Sequence, residues 1–462
     1  SRRLASRRLF SSNSSNSFIG SRRLASRRLF SSNSSNSHKK TSIALPVVLC
    51  TTVAGGCASY LFSDQLRQSS VWLSLADNLM VPLVRKFMDA EDAHTFTILA
   101  AKWKLTPMEK PRPLMAREIN NNMYKKKRLL AQERADSKPQ TPSSTSTRLE
   151  SNVWGLSFPS PVGMAAGFDK QAEVMGPLLN MGFGFVEVGG VTPLPQTGNP
   201  KPRSFRLTED QAIINRYGLN SDGADVVGER LAKFKHLNNP HRTKGKIGLN
   251  LAKNTTSTTS KEDYIQGVQR LGNTVDFIVM NVSCPNVSWT SKLKDNEIHD
   301  IIVAVREARD THCSNTPILL KIGPDYDQAK MKTMADIAMQ TKVDGLVVSN
   351  TSKSRPDTLQ SIHAKEKGGL SGQPIKERAH ATLHTMYQLT KGQLPIIGVG
   401  GISNGKDAYE RIKAGASLVE VYTAMTFSGP GLIQEIKRDI DSYLIRDGYS
   451  NISEAIGADH VE

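Results

Sequence analysis

Amide and thiol side chains lie close together in the segment 281–286, which reads Asn-Val-Ser-Cys-Pro-Asn. The segment follows the apolar run 277–280, which is typical of a buried strand, and it contains a proline that favours a turn. Asn281 and Asn286 each carry donors and an acceptor that could read the edge of a planar imide, while the Cys284 thiol exchanges a proton. This segment is the best candidate for a reaction centre.

Three further segments place an Asn beside an apolar run. They are Gly248-Leu249-Asn250, Ser349-Asn350-Thr351 and Asn215-Arg216-Tyr217-Gly218. Any one of these Asn residues could simply cap a turn. Four amide-bearing segments next to strand-like runs instead indicate one shared site.

Eight short apolar or β-branched runs alternate with helix-length amphipathic segments after residue 150. The runs span residues 161–166, 184–188, 246–251, 276–282, 317–322, 343–349, 395–399 and 417–422. This alternation predicts an α/β fold, a (β/α)₈ TIM barrel over residues 151–462. The active site of such a barrel lies at the carboxyl ends of its strands, and we expect all four Asn-bearing segments to fall there.

A glycine-rich turn follows the seventh run, and the eighth run ends at a tyrosine and a threonine. The two segments are Gly398-Val399-Gly400-Gly401-Ile402-Ser403 and Tyr422-Thr423-Ala424. Barrels commonly bind phosphate at this position, because the backbone amides of a glycine turn can approach phosphate oxygens without obstruction by a Cβ. A tight turn is the alternative interpretation. Together with the barrel position, the glycines predict a phosphorylated ligand.

Two lysines lie at the ends of predicted barrel strands. Lys321 ends the fifth run, and Lys170 follows the first run in Ala165-Ala166-Gly167-Phe168-Asp169-Lys170. An ammonium group that points into a barrel mouth is costly unless it meets an anion, although a lysine can also extend its head into solvent. We therefore expect both lysines to face an anionic ligand.

The chain has 462 residues and a formal net charge of +17, but the basic excess lies outside the predicted barrel. Residues 1–42 carry eight Arg and two Lys without an acid, and residues 101–150 carry twelve basic residues against five acids. The near-neutral remainder argues against nucleic-acid binding, because phosphate-binding surfaces need positive charge on the folded face. The four cysteines show no spacing typical of a metal site, so we expect neither a metal nor disulfides.

The amino-terminal region predicts a targeting segment followed by a membrane anchor. Residues 1–17 recur letter for letter as residues 21–37, and the basic, serine-rich composition of residues 1–42 is typical of a mitochondrial transit peptide. A disordered basic tail is the alternative. Residues 43–62 contain no charged residue and, at ~1.5 Å per residue, are long enough to cross a bilayer as a transmembrane anchor.

Apolar residues recur at helical spacing over residues 71–104. Two helices are predicted there, broken near Asp89-Ala90-Glu91-Asp92, whose acids suit the start of the second helix. A simple packed hairpin is one interpretation, but after an anchor the pair could also rest its apolar face on lipid. Residues 105–150 are rich in Pro, Lys, Ser and Thr and predict a basic, flexible linker.

With these residues assembled, the chain resembles the dihydroorotate dehydrogenases of the membrane-associated class. The similarity rests on the ordered motifs AAGFDK, GNPKPRSFRL, INRYG, GLNLAKN, GLSGQP, PIIGVGGIS and GASLVEVYTAMTF. The resemblance implies flavin mononucleotide (FMN) as cofactor, oxidation of dihydroorotate to orotate in pyrimidine (UMP) biosynthesis, and ubiquinone as acceptor. It also implies attachment to the lipid of the mitochondrial inner membrane, with residues 71–104 forming the quinone tunnel.

The resemblance further implies roles for individual residues. FMN would be held by Ala165, Ala166, Gly167, Gly189, Asn250, Asn281, Lys321, Ser349, Gly372, Gly400, Gly401, Tyr422 and Thr423. The pyrimidine would be bound by Lys170, Asn215, Arg216, Tyr217, Gly218, Asn281, Asn286, Asn350 and Thr351. The quinone tunnel would be lined by His94, Arg206, Tyr422 and Thr426. Cys284 would act as the general base, and Lys321 would stabilise negative charge on the reduced flavin.

The chain departs from the family pattern at three places. They are the position of the general base, the residues expected to contact the flavin and cover the substrate, and the quinone tunnel. The membrane-associated class usually has serine where this chain has Cys284, and a thiol with an unperturbed pKa near ~8.5 needs less help to act as a base. Gly190 and Leu219 replace a serine and an aromatic residue, and Arg85 stands where a tunnel glutamine is expected.

Two alternative functions follow from the same residues. Cysteine at the base position is typical of the soluble class, so a dihydroorotate oxidase with a soluble acceptor is the first. Residues 43–104 argue against it, because a soluble enzyme needs no anchor followed by an apolar helix pair. The second is a flavin-binding scaffold without catalysis, which the retained lysines and Asn residues disfavour.

Overall fold

The computed structural model describes residues 64–109, 148–237, 245–286 and 293–460. The predicted transit segment and transmembrane anchor, and most of the predicted linker, lie outside these ranges. Within them, no helix combines the length and the apolar character needed to span a membrane.

A helical unit packs against one side of the barrel. Its elements are α1 (Asp64–Arg67), α2 (Ser70–Leu75), a π-helical turn (Ala76–Met80), α3 (Val81–Phe87) and α4 (Ala90–Lys102). The chain breaks at the acidic cluster, where the Asp89 carboxylate accepts hydrogen bonds from the backbone N–H groups of Glu91 and Asp92, both at 2.8 Å. Asp89 therefore caps α4 and fixes its direction relative to α3.

The remaining elements alternate strands and helices. In chain order they are β1 (Ser151–Val153), β2 (Leu156–Phe158), β3 (Val162–Met164), α5 (Met175–Asn180), β4 (Phe185–Val191), β5 (Ser204–Leu207), β6 (Ala212–Asn215), α6 (Ala224–Leu237), β7 (Lys246–Leu251), α7 (Lys261–Leu271), β8 (Phe277–Asn281), α8 (Asp295–His312), β9 (Ile318–Ile322), α9 (Gln328–Gln340), β10 (Gly345–Val348), β11 (Gly369–Gly372), α10 (Lys376–Leu389), β12 (Ile396–Val399), α11 (Gly405–Lys413), β13 (Ala416–Val421), α12 (Thr423–Ser428) and α13 (Leu432–Asp447). Short 3₁₀ helices cover Gly272–Thr274, Gln373–Ile375, Ile452–Ala455 and Ala458–His460.

Eight of these strands close into a parallel barrel. The strand order around the barrel is β3-β4-β7-β8-β9-β10-β12-β13, and each strand corresponds to one of the eight apolar runs in the sequence. The prediction of a (β/α)₈ barrel is therefore confirmed. The antiparallel hairpin β1–β2 covers the amino-terminal end of the barrel, where Phe158 packs edge to face on Phe185 with ring centroids 5.6 Å apart.

A separate three-stranded antiparallel sheet, in the order β5-β6-β11, stands outside the barrel. Its strands come from two excursions of the chain, one after β4 and one after β10. Asn215 ends β6 in this sheet, so the expectation that every Asn-bearing segment ends a barrel strand is wrong for Asn215. Its strand pairs with β11 across more than 150 residues of sequence, with Asn215 opposite Gly369.

Candidate active site

Inward-facing positions recur at every second residue along the barrel strands. Near the amino ends these positions hold buried apolar residues such as Phe185 in β4 and Leu319 in β9. Two residues further along the same faces, the interior becomes polar. This polar layer consists of Glu187, Asn250, Asn281, Lys321 and Glu420, all of them buried. The barrel thus places a charged, hydrogen-bonding layer on an apolar floor at the carboxyl end.

Three Asn residues, at the carboxyl ends of β7 and β8 and just after β10, are linked in a chain that we call the amide ladder (Asn250, Asn281, Asn350). Asn281 Nδ2 donates to Asn250 Oδ1 at 3.1 Å, and Asn350 Nδ2 donates to Asn281 Oδ1 at 3.0 Å. Asn350 also donates to Ser283 Oγ at 3.2 Å. Each hydrogen bond between these side chains uses only part of the hydrogen-bonding capacity of an amide. The ladder can therefore present further donors and acceptors to a planar ligand.

The ladder is anchored on an ion pair. Glu187 Oε1 accepts hydrogen bonds from Asn250 Nδ2 at 2.6 Å and from Lys321 Nζ at 3.2 Å. Burial on its own would lower the pKa of Lys321, but attraction to Glu187 and Glu420 outweighs it and raises the pKa above its ordinary value. Lys321 is therefore a fixed ammonium group. The sequence predicted that Lys321 faces an anion, and within the protein that anion is the carboxylate of Glu187.

A second amide pair forms where the three-stranded sheet meets the barrel. Asn286 Nδ2, from the loop after β8, donates to Asn215 Oδ1 at 2.9 Å. Asn286 Oδ1 in turn accepts a hydrogen bond from the backbone N–H of Gly369 at 3.1 Å. A Cβ built on Gly369 would lie 2.0 Å from Thr351 Oγ1, so Thr351 borders the same space. All four Asn-bearing segments converge, although Asn215 arrives from outside the barrel.

Lys170 stands at the edge of this space. Its Nζ donates to the carbonyl oxygen of Gly167 at 2.6 Å and lies 4.1 Å from the ring centroid of Tyr217. The Arg203 guanidinium carbon lies 5.2 Å from the same ring, and Arg203 binds both carboxylate oxygens of Glu91 in α4. Burial lowers the pKa of Lys170 to about 8, with Glu91 opposing and Arg203 assisting that shift.

Arg216 and Gly218 lie in the segment that follows β6 and leads away from Asn215. The Arg216 Nη1 donates to Glu366 Oε2 at 2.6 Å, and its guanidinium carbon lies 4.4 Å from the Phe205 ring centroid. Its side chain therefore ties the three-stranded sheet to the segment before β11. Gly218 adopts φ +72°, and a Cβ there would lie 2.7 Å from the side chain of Asn199.

Cys284 is buried in the loop that follows β8, two residues before Asn286. Burial raises the pKa of its thiol to about 11, and the Asn286 N–H and the Lys321 charge offset this only in part. This pKa lies above the ordinary thiol value expected from the sequence, so Cys284 is a weaker acid than expected. The neighbouring Ser283 Oγ donates to the backbone oxygen of Lys321 at 2.8 Å and thereby fixes the loop against β9.

The last residue of β11 and the glycine-rich turn after β12 supply three glycines that we call the cradle (Gly372, Gly400 and Gly401). All three have positive φ, at +97°, +105° and +73°. A Cβ on Gly401 would lie 2.3 Å from the Cα of Lys376, and one on Gly372 would lie 2.3 Å from the Gln211 carbonyl oxygen. Only glycine fits at these positions without a shift of the backbone.

The other predicted cofactor positions surround the polar layer and the cradle. Ser349 lies beside Gly400, since a Cβ on that glycine would be 3.7 Å from the serine Oγ. Thr423 Oγ1 donates to Ser371 Oγ at 2.8 Å, next to Gly372 in sequence. The backbone N–H of Ala165 donates to the carbonyl oxygen of Val421 at 3.1 Å, and that of Gly167 donates to the carbonyl oxygen of Gly189 at 2.8 Å. Ala166 lies between Ala165 and Gly167 in the sequence.

His94 connects the helical unit to the barrel. Its Nε2 lies 2.7 Å from the carbonyl oxygen of Phe168, an acceptor, so that nitrogen carries the proton. The imidazole lies 5.2 Å from the Phe168 ring and 6.3 Å from the Tyr422 ring, measured between centroids. Burial, assisted by the Lys170 charge, lowers the pKa of His94 to about 3. His94 is therefore neutral at physiological pH.

Arg206 closes the carboxyl end of α3. Its Nη1 donates to the carbonyl oxygens of Arg85 at 3.0 Å and Met88 at 3.2 Å, as expected for a cation at a helix carboxyl terminus. The Arg206 Nε is buried and has no hydrogen-bond partner among the described residues. Arg85 donates to the carbonyl oxygen of Phe427 at 3.1 Å, and Thr426 donates to that of Thr423 at 2.7 Å.

Glu187 and Glu420 are the site residues that the sequence reasoning missed. Each is the single acid within an apolar barrel strand, in Phe185–Val191 and Ala416–Val421. An acid at an inward position of a barrel strand is a usable signal, because such a charge must be paired or neutralised inside the protein.

Comparisons with known proteins identify the family of this arrangement. The family model described as "Dihydroorotate dehydrogenase" matches residues 148–444. A Rhodospirillum rubrum protein named dihydroorotate dehydrogenase (quinone) is 45% identical over 315 residues, covering 68% of this chain and 84% of that protein. The mouse protein named dihydroorotate dehydrogenase (quinone), mitochondrial, is 45% identical over 326 residues, covering 70% and 82%. The crystal structure of DHODH in complex with ferulenol from Eimeria tenella has a TM-score of 0.69 at 36% identity, covering 81% of this chain and 97% of that chain.

Proposed function

The chain belongs to the dihydroorotate dehydrogenase family, a family of flavoenzymes, and we propose that it oxidises dihydroorotate to orotate with FMN as cofactor and a quinone as acceptor. The observation that carries the proposal is the polar layer. The Lys321 ammonium, fixed by Glu187, meets the amide ladder at the carboxyl end of the barrel. A flavin ring needs both features, because it offers imide donors and acceptors and gains negative charge when reduced.

The residues present fit FMN. When bound, FMN takes up a hydride from the substrate and releases electrons to a second acceptor. The cradle of Gly372, Gly400 and Gly401 would hold the phosphate through backbone N–H groups. Asn250 and Asn281 would hydrogen-bond the ring edge, and Lys321 would stabilise its negative charge.

The convergent amides would hold the pyrimidine. Dihydroorotate has an imide edge that suits Asn215, Asn286 and the end of the ladder at Asn350. Its carboxylate requires a cation, which Lys170 supplies at the rim. Cys284 would take the proton from C5 of dihydroorotate while the hydride leaves C6. The buried thiol needs a high pH to become the reactive thiolate.

The helical unit would admit the quinone. Arg206 offers a buried Nε donor, and the neutral imidazole of His94 lies beside Tyr422, which borders Gly167. Relatives named as mitochondrial quinone enzymes support a mitochondrial location. We further propose that residues 1–42 direct import and that residues 43–62 anchor the protein in the inner membrane.

Anaerobic reduction tests the proposed activity. The purified full chain should be yellow, and dihydroorotate added without oxygen should bleach it, with orotate formed in equal amount. Colour that persists with excess dihydroorotate would refute the activity and favour a scaffold.

A second candidate, oxidation with a soluble acceptor, is favoured by Cys284 alone. Turnover with a decylubiquinone-type acceptor should exceed turnover with fumarate or NAD. Faster turnover with fumarate or NAD would establish the second candidate instead.

The acceptor site is tested by Arg206→Met. The variant should retain bleaching by dihydroorotate and show a roughly 10-fold or greater loss of kcat/KM for the quinone, about 1.4 kcal/mol for one charge-assisted hydrogen bond. Arg378→Met is the matched control, because Arg378 is about half exposed and pairs with Asp325 at the surface. An equal loss in both variants would place the acceptor site elsewhere.

A further inference from the structure

Glu420 is a buried acid that no step of the proposed function uses. It lies in β13 with 1% of its surface exposed, yet no N–H or O–H donor of another residue in the described ranges bonds to either of its carboxyl oxygens. The Oε2 of Glu187 shares this condition, whereas Glu187 Oε1 accepts hydrogen bonds from Lys321 and Asn250. Three buried carboxyl oxygens therefore lack a donor in one small volume.

The charges in this volume do not balance if both acids are ionised. The charged groups around Glu420 are Glu187 from β4 and Lys321 from β9. Asn250 and Asn281 are neutral, and the buried Cys284 thiol keeps its proton at neutral pH because its pKa is raised to about 11. One ammonium against two carboxylates would leave a net negative charge in a closed barrel interior, which is costly.

We infer that Glu187 and Glu420 share a single proton at neutral pH, so that the cluster of Glu187, Glu420 and Lys321 carries no net charge. The proton supplies the missing donor between the two carboxyl groups, which otherwise hold only acceptors. Burial, repulsion by Glu187 and a side-chain hydrogen bond with Glu187 raise the pKa of Glu420 well above its ordinary value, and the attraction of Lys321 opposes them only in part. Two carboxyl groups around one cation thus behave as a one-proton pair.

The functional part of this inference rests on the proposed flavin site. The two acids are positioning residues for Lys321. Glu187 in its ionised form fixes the ammonium group, and the shared proton prevents the second carboxyl group from making the cluster net negative beside the cofactor. Lys321 then presents a cation to the cofactor over the working pH range.

Infrared difference spectroscopy on the purified full chain tests the shared proton directly. The carbonyl stretch of a protonated carboxylic acid, which shifts in D₂O, should be present in the wild type at neutral pH. It should disappear in Glu420→Gln and also in Glu187→Gln, because either variant leaves one carboxylate that ionises beside Lys321. The exposed acid variant Glu209→Gln should retain the band. Asp169, whose pKa burial raises to about 6, contributes equally to every spectrum and cancels in the differences.

Two results would overturn the inference. Identical carboxylic-acid bands in the wild type and in Glu420→Gln would show that Glu420 is ionised. A band that persists in Glu187→Gln would show that Glu420 holds its proton independently of Glu187. If either Glu420→Gln or Glu187→Gln does not fold, the spectrum of the other variant tests the shared proton. Because the spectrum reports a proton and not turnover, its failure is distinct from a failure to oxidise dihydroorotate.

Discussion

The pH dependence of flavin reduction follows from the burial of Cys284. Burial raises the pKa of this thiol to about 11. At about pH 7 only about 10⁻⁴ of the thiol is ionised, and the thiolate fraction rises about tenfold per pH unit. If the thiolate removes the C5 proton, the limiting rate of reduction should therefore rise about 10³-fold between about pH 7 and about pH 10.

The measurement is anaerobic stopped-flow absorbance of the flavin at saturating dihydroorotate. Saturation is needed because Lys170, with a pKa lowered to about 8, loses its charge in the same range and weakens substrate binding as the pH rises. Cys284→Ala should lower the limiting rate by about 10² or more and abolish its rise with pH. Cys284→Ser should fall between the two, because an alcohol is a weaker acid than a thiol.

The control is Cys313→Ala. Cys313 is also buried, and burial raises the pKa of its thiol, but it packs at the carboxyl end of α8 beside Gly272. Its substitution should leave the pH profile unchanged. A wild-type rate that stays flat over the whole range, or a near-normal rate in Cys284→Ala, would refute the assignment of Cys284 as the base.

Gly401→Ala should lose bound flavin and stability together, because its Cβ would lie 2.3 Å from the Cα of Lys376 at a positive φ of +73°. Gly155→Ala is the control, with φ +75° and no atom within 4 Å of the added Cβ; it should cost only about 1 kcal/mol and keep the flavin, as thermal unfolding and absorbance would show. Glu91→Gln should weaken the packing of α4 by about 1.5–3 kcal/mol, because Arg203 loses a charged partner that it binds at 2.9–3.2 Å. Hydrogen exchange over α4 should accelerate in this variant, and unchanged protection would contradict that role for the ion pair.

The barrel could be predicted from the sequence because its strands are buried on both faces. Runs such as 246–251 and 317–322 are mostly apolar, and helix-length segments separate them. The type and the order of the strands and helices can therefore be predicted from the sequence. The strands β5, β6 and β11 are four residues each and lie within polar excursions. The strands β5 and β6 form a local hairpin, but the pairing of β6 with β11 depends on contacts between distant segments, which no local pattern records.

The convergence of the amide side chains could be predicted from the sequence, but the charges beside them could not. The amide side chains and Lys321 could be assigned from their positions after apolar runs. The pairing of Lys321 with Glu187 joins β9 to β4 across the closed barrel, and only closure brings those strands opposite one another. The acidity of Cys284 likewise depends on burial by the surrounding fold, which its neighbours in sequence do not determine.

The sheet β5-β6-β11 determines how fragments of this protein should behave. Asn215 is paired with Gly369, so the sheet that carries Asn215 is built from the first and the second half of the barrel sequence. A fragment that ends after β8 would hold Asn215 and Asn286 but lack the strand that orders them. Two fragments divided between β8 and β9 should therefore acquire binding of the pyrimidine only on reassembly, which makes fragment complementation a direct reporter of the completed cover.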